Sequence, residues 1–347
     1  MTDVYVAARS TSVFVDRSDR GKLVIFGTDR AAYLQGLLTN DIAALSPGEG
    51  CYAAYLTPQG RMAADMLVLD LGEELLLDVH SSATSWLVDR LREFVFTEEV
   101  TVEDRTSMWS AVGVHGPGSA RAVSTVVRSG ETADTGRSAE LSRLAEYHHL
   151  AGRFRGVDVV IARSDEIGEF GFIIYLKSDA VAELRAALLD TGVSEIDPST
   201  FDVLRVEGGR PEFPADLDEE TIPLEAGIED RAISMTKGCY VGQEVIVRIL
   251  HRGKGRVGRR FVGLLFDPDM VAPPVGAEIT RGDKHEKVGA VTSAVWSPSL
   301  QRPIALGYVK RELSKPGTEF RVVDADRRWS AVVAERPFLA SSDASSR

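Results

Sequence analysis

The chain has 347 residues, 44% hydrophobic and 27% charged, the composition of a soluble globular protein with room for two or three domains. Forty Lys and Arg against 52 Asp and Glu leave a net charge of −12, which excludes a general nucleic-acid coat, because such a coat needs a basic surface to displace counterions. There is no apolar run of about 18 residues for a membrane helix, and two cysteines without metal-ligand spacing exclude a disulfide framework and a metal centre, fitting a reducing cytoplasm.

The N-terminal segment interrupts its apolar residues with charges and lacks the continuous apolar stretch of a signal peptide. Val24-Ile25-Phe26 reads as a buried strand. Thr28-Asp29 is placed to cap a helix on which Ala31, Leu34, Leu38 and Ile42 share one face. Residues 52–57 read as a short strand, and 66–71 with 75–79 as a hairpin around Gly72-Glu73-Glu74. Ala83, Leu87, Leu91, Phe94 and Val95 repeat at helical spacing, and 100–103 closes this first unit. A similar order follows, with strands at 111–114, 157–162 and 170–176 and helices at 120–127 and around Leu184 and Leu188. Residues 128–146 are polar and poor in aromatics, so a mobile excursion is expected there. Asp197-Pro198 is an N-cap with proline at the first helical position, predicting a helix to about Glu207. From 257 onward, short apolar runs at 261–266, 287–295, 304–309, 320–323 and 331–333 are punctuated by Pro and Gly, the pattern of a small antiparallel barrel.

The predicted class is α+β. Two split-βαβ-type units, about 20–108 and 109–210, lie within a region 1–256. A barrel occupies 257–338, and a polar tail, 339–347, is expected to be disordered.

The most specific segment is Lys237-Gly238-Cys239-Tyr240-Val241-Gly242-Gln243-Glu244. A thiol two residues from a lysine in a glycine-flanked loop has the setting that depresses thiol pKa. The plain alternative is a turn in which Cys239 and Tyr240 fill space. Cys51, among small and aromatic residues at a strand start, reads as buried and inert. Other segments occur in a set order: Asp29-Arg30 with Leu34 to Asp41, Tyr55 to Asp65 containing Pro58-Gln59-Gly60-Arg61, Arg205 to Pro211, Ile222 to Gly227, Val291-Thr292-Ser293, and Ile304 to Tyr308. This ordered set, over roughly 20–335, resembles the YgfZ group of the glycine-cleavage T-protein superfamily.

The resemblance implies three domains in a ring around a folate channel, with tetrahydrofolate or a one-carbon derivative as cofactor. It implies an accessory protein supporting assembly or repair of iron–sulfur enzymes, including those that modify tRNA. Its partners would be folate and iron–sulfur client proteins. The alternative is an aminomethyltransferase of the glycine-cleavage kind; an enzyme of this type would be a folate-dependent one-carbon transferase. A single thiol cannot hold a cluster alone, since clusters normally take four ligands.

A pterin presents N3–H and a 2-amino group side by side, and a carboxylate accepts both as a bidentate pair. By resemblance, Glu169 in Gly168-Glu169-Phe170-Gly171-Phe172 is the pterin anchor, with Phe172 packing on the ring and Tyr240 a further cofactor contact. Arg205, in Leu204-Arg205-Val206-Glu207, is expected to bind the pterin carbonyl edge or a folate carboxylate; the competing role is an ion pair with Glu207 or a neighbouring helix. The aminomethyl-transferring relatives carry paired aspartates where this chain has Ala64-Asp65, so Asp65 keeps one acid. Cys239, Asp65 and Lys237 are the candidate catalytic residues. Arg252 to Arg260 is a local basic run that fits a folate polyglutamate tail, RNA, or a solvated connector. No aromatics interleave its charges, which argues against a stacking platform.

Overall fold

The computed structural model describes residues 3–128, 136–282 and 286–340. Helix α1 (Asp3–Ser10) and strand β1 (Val13–Asp16) open the chain. Then come β2 (Gly21–Phe26), α2 (Arg30–Gln35), β3 (Gly50–Leu56), β4 (Met62–Asp70), β5 (Glu74–Val79), α3 (Ser81–Glu93) and β6 (Thr101–Asp104). Their strands form a five-stranded sheet in the order β3-β4-β5-β2-β6. Next are β7 (Trp109–His115), α4 (Ser119–Val126), α5 (Arg137–Ser142), β8 (His149–Phe154), β9 (Val157–Arg163), β10 (Gly171–Lys177), α6 (Val181–Asp190) and β11 (Ser194–Glu195). The second sheet runs β11-β1-β7-β10-β9-β8, so β1 crosses over to it, antiparallel to β7 and parallel to β11.

Helix α7 (Pro198–Glu207) starts as its sequence predicts: Asp197 Oδ1 accepts from the Thr200 amide at 2.7 Å, and Pro198 takes the first position. Three short helices, α8 (Pro223–Ala226), α9 (Glu229–Ala232) and α10 (Gln243–Val247), carry the chain onward, and α10 continues as a π-turn over Arg248–Arg252. The barrel consists of β12 (Arg259–Phe266), β13 (Glu278–Arg281), β14 (Glu286–Ser297), β15 (Arg302–Lys310), β16 (Glu319–Asp324) and β17 (Arg327–Ala334). It is closed and antiparallel, and pairing of β12 with β17 removes the free edges. The fold is α+β with a small C-terminal antiparallel barrel, as the patterning predicts.

Two local expectations need correction. The helix projected to Ile42 stops at Gln35; Ile42 is buried all the same, in irregular chain. The carbonyls of Gln35, Leu38 and Asn40, which a longer helix would use internally, point at the Lys237 ammonium instead. Within the expected excursion 128–146, residues 137–142 form α5, held by buried Leu141 and by Arg137, whose guanidinium donates to the Ala151 carbonyl at 2.6 Å. Residues 129–135 of that excursion, and 341–347 of the tail, lie outside the described residues. Strand β13 carried no apolar run long enough to be recognised.

The two sheets face each other through Val24, Leu67, Leu69 and Leu76 on one side and Ala111, Ala162, Ile173 and Tyr175 on the other. Helices α2 and α3 cover the back of the first sheet, and α4 and α6 the back of the second. Tyr5 and Ala8 of α1 pack on Ile167, Phe201 and Leu204. Among the described residues, no helix is long and apolar enough to cross a membrane.

Candidate functional site

At one end of the layer between the sheets, apolar contacts give way to charge. Residues are pleated alternately along a strand. On β4, Ala64 and Met66 therefore enter the core behind the first sheet, while Asp65 and Leu67 face the second. On β10, Phe172 and Ile174 enter the core under α4 and α6, while Ile173 faces inward. The inner pocket so formed has a volume of about 100 Å³. Arg17 and Arg20 enter it from the turn between β1 and β2, Tyr52 from β3 and Asp78 from β5. Glu166 comes from the loop between β9 and β10, Arg205 from α7 and Arg231 from α9.

The charges in this pocket hold one another. The Tyr52 hydroxyl donates to Asp65 Oδ2 at 2.6 Å, and burial together with that carboxylate keeps the phenol from ionising. Arg20 pairs with Asp78, whose other oxygen accepts from the Tyr175 hydroxyl at 2.7 Å. Burial alone would raise the Glu166 carboxyl; Arg17 at 3.2 Å and His115 at 3.1 Å outweigh it and hold the group at about 2. Burial raises the Glu212 carboxyl, against Arg205. Arg231 lies over the Tyr52 ring at 4.5 Å.

An outer cleft of about 620 Å³ adjoins this pocket, sharing Asp165, Arg210, Pro211 and Arg231 with it. The barrel supplies its far wall with Phe261, Val262 and Arg336. Arg336 donates to the Gly209 and Ala226 carbonyls and stacks on Phe261 at 4.5 Å. It has no carboxylate partner among the described residues, and burial pulls its guanidinium down to about 10.

Of the sequence-derived site residues, the structure brings Asp65 and Arg205 to the inner pocket. Arg205 is not free to meet a ligand: it pairs with Asp216 at 2.7 Å, with Asp202 and with Glu212, and donates to Ser293 at 2.9 Å. Its partner is not Glu207, which pairs with Arg9 at 2.6 Å and accepts from Tyr5. Glu169 is buried away from the pocket and paired with Arg9. The cause is Gly168, at φ +76°, whose added Cβ would sit 2.7 Å from the Gly208 Cα; this close backbone approach turns Glu169 toward α1. Phe172 is fully buried in the core beneath α4 and α6 and does not reach the pocket. Tyr240 packs in the core behind the first sheet.

Lys237, which the sequence sets beside Cys239, has its ammonium engaged by backbone carbonyls. Its ammonium donates to the carbonyls of Gln35, Leu38 and Asn40 at 2.7, 2.6 and 2.8 Å. Burial lowers it to about 8, and the thiol its charge acts on is Cys51. Cys51 is buried, and burial pushes its thiol up to about 12; Cys239 is exposed. Gly242, at φ +81°, lies against the Thr57 carbonyl and Gly60, so the Pro58-Gln59-Gly60-Arg61 turn and the cysteine segment meet backbone to backbone.

Sequence reasoning missed Arg17, Arg20, Asp78, Glu166 and Arg231. An available signal was Asp78, an ionisable residue inside the apolar strand Leu75–Val79. Another was Glu166, three positions before Glu169.

A family model described as the GCVT N-terminal domain matches residues 3–237, and one described as the glycine cleavage T-protein C-terminal barrel domain matches 259–339. An aminomethyltransferase of Nostoc sp. is 30% identical over 353 aligned residues, spanning 99% of this chain and 89% of that protein. One from Rubrobacter xylanophilus is 29% identical, spanning 96% and 84%. The crystal structure of glycine cleavage system aminomethyltransferase T from Bartonella henselae covers 96% of this chain and 88% of its own, with TM-score 0.83 and 22% identity, a likeness of fold.

Proposed function

The chain belongs to the glycine-cleavage T-protein family, whose members use tetrahydrofolate, and from that premise we propose that its inner pocket receives the pterin ring of a tetrahydrofolate. The observation that carries this reading is the set of carboxylates facing one cavity between the sheets, buried Asp65 and half-buried Glu166 above all. Either carboxylate can accept the paired N–H groups of a pterin edge. Glu166 takes the place first given to Glu169: it sits on the same loop and lines the pocket, with Oε1 beside His115 Nε2 at 3.1 Å and Oε2 beside Arg17 at 3.2 Å. Asp65, steadied by Tyr52, faces the ring from the opposite sheet. At about 100 Å³ the cavity is smaller than the ~150 Å³ void that admits benzene. Ring binding therefore requires lining side chains to swing aside. The glutamyl tail then runs into the outer cleft past Arg210 and Arg231 toward Arg336. No residue of 252–260 lines the pocket or the cleft, so in this reading the tail does not meet the basic run.

We further propose the YgfZ-type role, a folate-binding accessory protein for iron–sulfur enzymes, with Cys239 as the functional thiol. Its support is the exposure of Cys239 in the Lys237–Glu244 segment, against the burial of Cys51. The test is a deletion strain. Loss of iron–sulfur tRNA-modifying activity, restored by the wild type and by Cys51→Ala but not by Cys239→Ala, is expected. Full restoration by Cys239→Ala reduces the function to folate binding.

A second reading, aminomethyl transfer, is favoured by the names of the relatives and by Ala64. That residue points into the core, so its departure from an acidic pair leaves the pocket carboxylate in place. Aminomethyl transfer from lipoyl H-protein to tetrahydrofolate decides between them: turnover matching a genuine T-protein establishes the second reading.

A further inference from the structure

Three surface features follow one another across the first unit and the 241–256 segment that packs on it. The first is a groove of about 530 Å³ between α3 and the turn after β3, with an apolar floor that includes Tyr55, Leu56, Trp86 and Val241 and, on its α3 side, Asp89 and the paired Arg90 and Glu93. Trp86 is 43% exposed, an unusual position for so large an apolar side chain, and stands edge-on to Tyr55 at 5.6 Å. The second is the junction with α10. Pro58 and Val241 line the groove, Gly242 abuts Thr57 and Gly60, and Val245 of α10 lies against Gly60, so groove and helix are one continuous surface. The third is the cationic ridge continuing α10. Arg248, Arg252, Lys254 and Arg256 are exposed and make no ion pair with any described residue. Exposed Val247 leads into the ridge, and no acidic residue occurs between Glu244 and Asp267 in a chain of net charge −12.

An aromatic anchor in an apolar trough beside a charged rim is the anatomy of a protein-binding surface. The ridge sets the sign of the partner, because unpaired surface cations steer and select an opposite charge. We infer that the Trp86 groove and the Arg248–Arg256 ridge together form a docking surface for a protein that presents an apolar side chain flanked by carboxylates. A nucleic acid fits less well: it has no use for the apolar trough, and the overall negative charge repels it at long range. The inference depends neither on what fills the inner pocket nor on the chemistry of Cys239, which lies two residues from the groove wall at Val241.

The test uses the full chain and fluorescence anisotropy with a fluorescein-labelled peptide carrying a central Leu-Phe pair between glutamate flanks. Binding to the wild type is expected, weakening as salt rises because the cations are screened over about 8–10 Å at 0.1–0.15 M. Trp86→Ala should weaken it at least about tenfold at every salt concentration, the loss of an anchor residue. The combined Arg248→Gln, Arg252→Gln, Lys254→Gln and Arg256→Gln variant should weaken it at low salt and flatten the salt dependence. Circular dichroism and urea denaturation verify that both variants are folded. Absence of wild-type binding, equal binding of a lysine-flanked peptide, or unchanged affinity in either variant overturns the inference. Tighter binding of bulk tRNA than of the peptide at 0.15 M salt also overturns it, in favour of a nucleic-acid surface.

Discussion

The inner pocket and the Arg248–Arg256 ridge both gather cations and use them in opposite ways. In the pocket, Arg17, Arg20 and Arg205 are each matched to a carboxylate of the same chain. On the ridge, four cations have no partner among the described residues. A charge taken out of water must be compensated on the spot, whereas an exposed one costs little when unpaired. The difference says where each region gets its selectivity. The pocket must exchange internal partners for those of a ligand, and the ridge can only attract from a distance.

The comparison breaks first if buried pairs are dispensable. Arg9 pairs with both Glu169 and Glu207, so Arg9→Ala takes the ion-pair partner from buried Glu207 and one of the contacts from Glu169. A destabilisation of about 3–5 kcal/mol in urea denaturation is expected. Glu169→Ala should cost stability while leaving tetrahydrofolate affinity within about twofold; a loss of affinity instead would return Glu169 to the ligand. Next in size is Asp65→Ala, which removes a charged acceptor from the pocket. Calorimetric titration should show affinity falling about tenfold to a hundredfold, the equivalent of ~1.5–3 kcal/mol.

An effect that is smaller per pH unit follows from His149, which burial lowers to about 4. The unfolded chain takes up this proton near pH 6.5 and the folded chain only near 4. Stability is therefore complete above pH 6.5 and falls as pH drops toward 4, by at most about 1.4 kcal/mol per unit. Comparing denaturation of the wild type and His149→Leu across that window isolates the slope; identical slopes would remove His149 as its source. The smallest expected effect is at the exposed thiol. Cys239→Ala should shift stability by less than about 0.5 kcal/mol, as surface substitutions do. Iodoacetamide near neutral pH should label Cys239 well before Cys51, whose thiol burial holds at about 12. Early labelling of Cys51 would mean that its strand opens.

What the sequence made legible was local or periodic. The start of α7 was written in Asp197-Pro198, and the barrel in evenly punctuated apolar runs. The strand and turn that carry Asp65 to the pocket lining were likewise readable from its own segment. What stayed hidden depended on partners far along the chain. Arg20 and Asp78 are 58 residues apart and meet only because β2 pairs with β5. The end of α2 was obscure because the donor that captures its carbonyls belongs to Lys237. Glu169 and Phe172 were named from a motif that identifies a loop and strand. Which way each side chain points was settled by Gly168 packing on Gly208 and by the pleat of β10.

The Lys237 clamp has a consequence for the order in which the protein comes into being. The three carbonyls it satisfies lie 197 to 202 residues earlier in the chain. A ribosome adding roughly 5–20 residues each second needs about 10–40 s to travel that distance. During that interval the nascent first unit carries an open cation seat, and no truncated product ending before Lys237 can fill it. The segment bearing Cys239 is thereby anchored only on a chain whose first unit has already been made, so a half-finished polypeptide has no means of displaying its thiol in the finished setting.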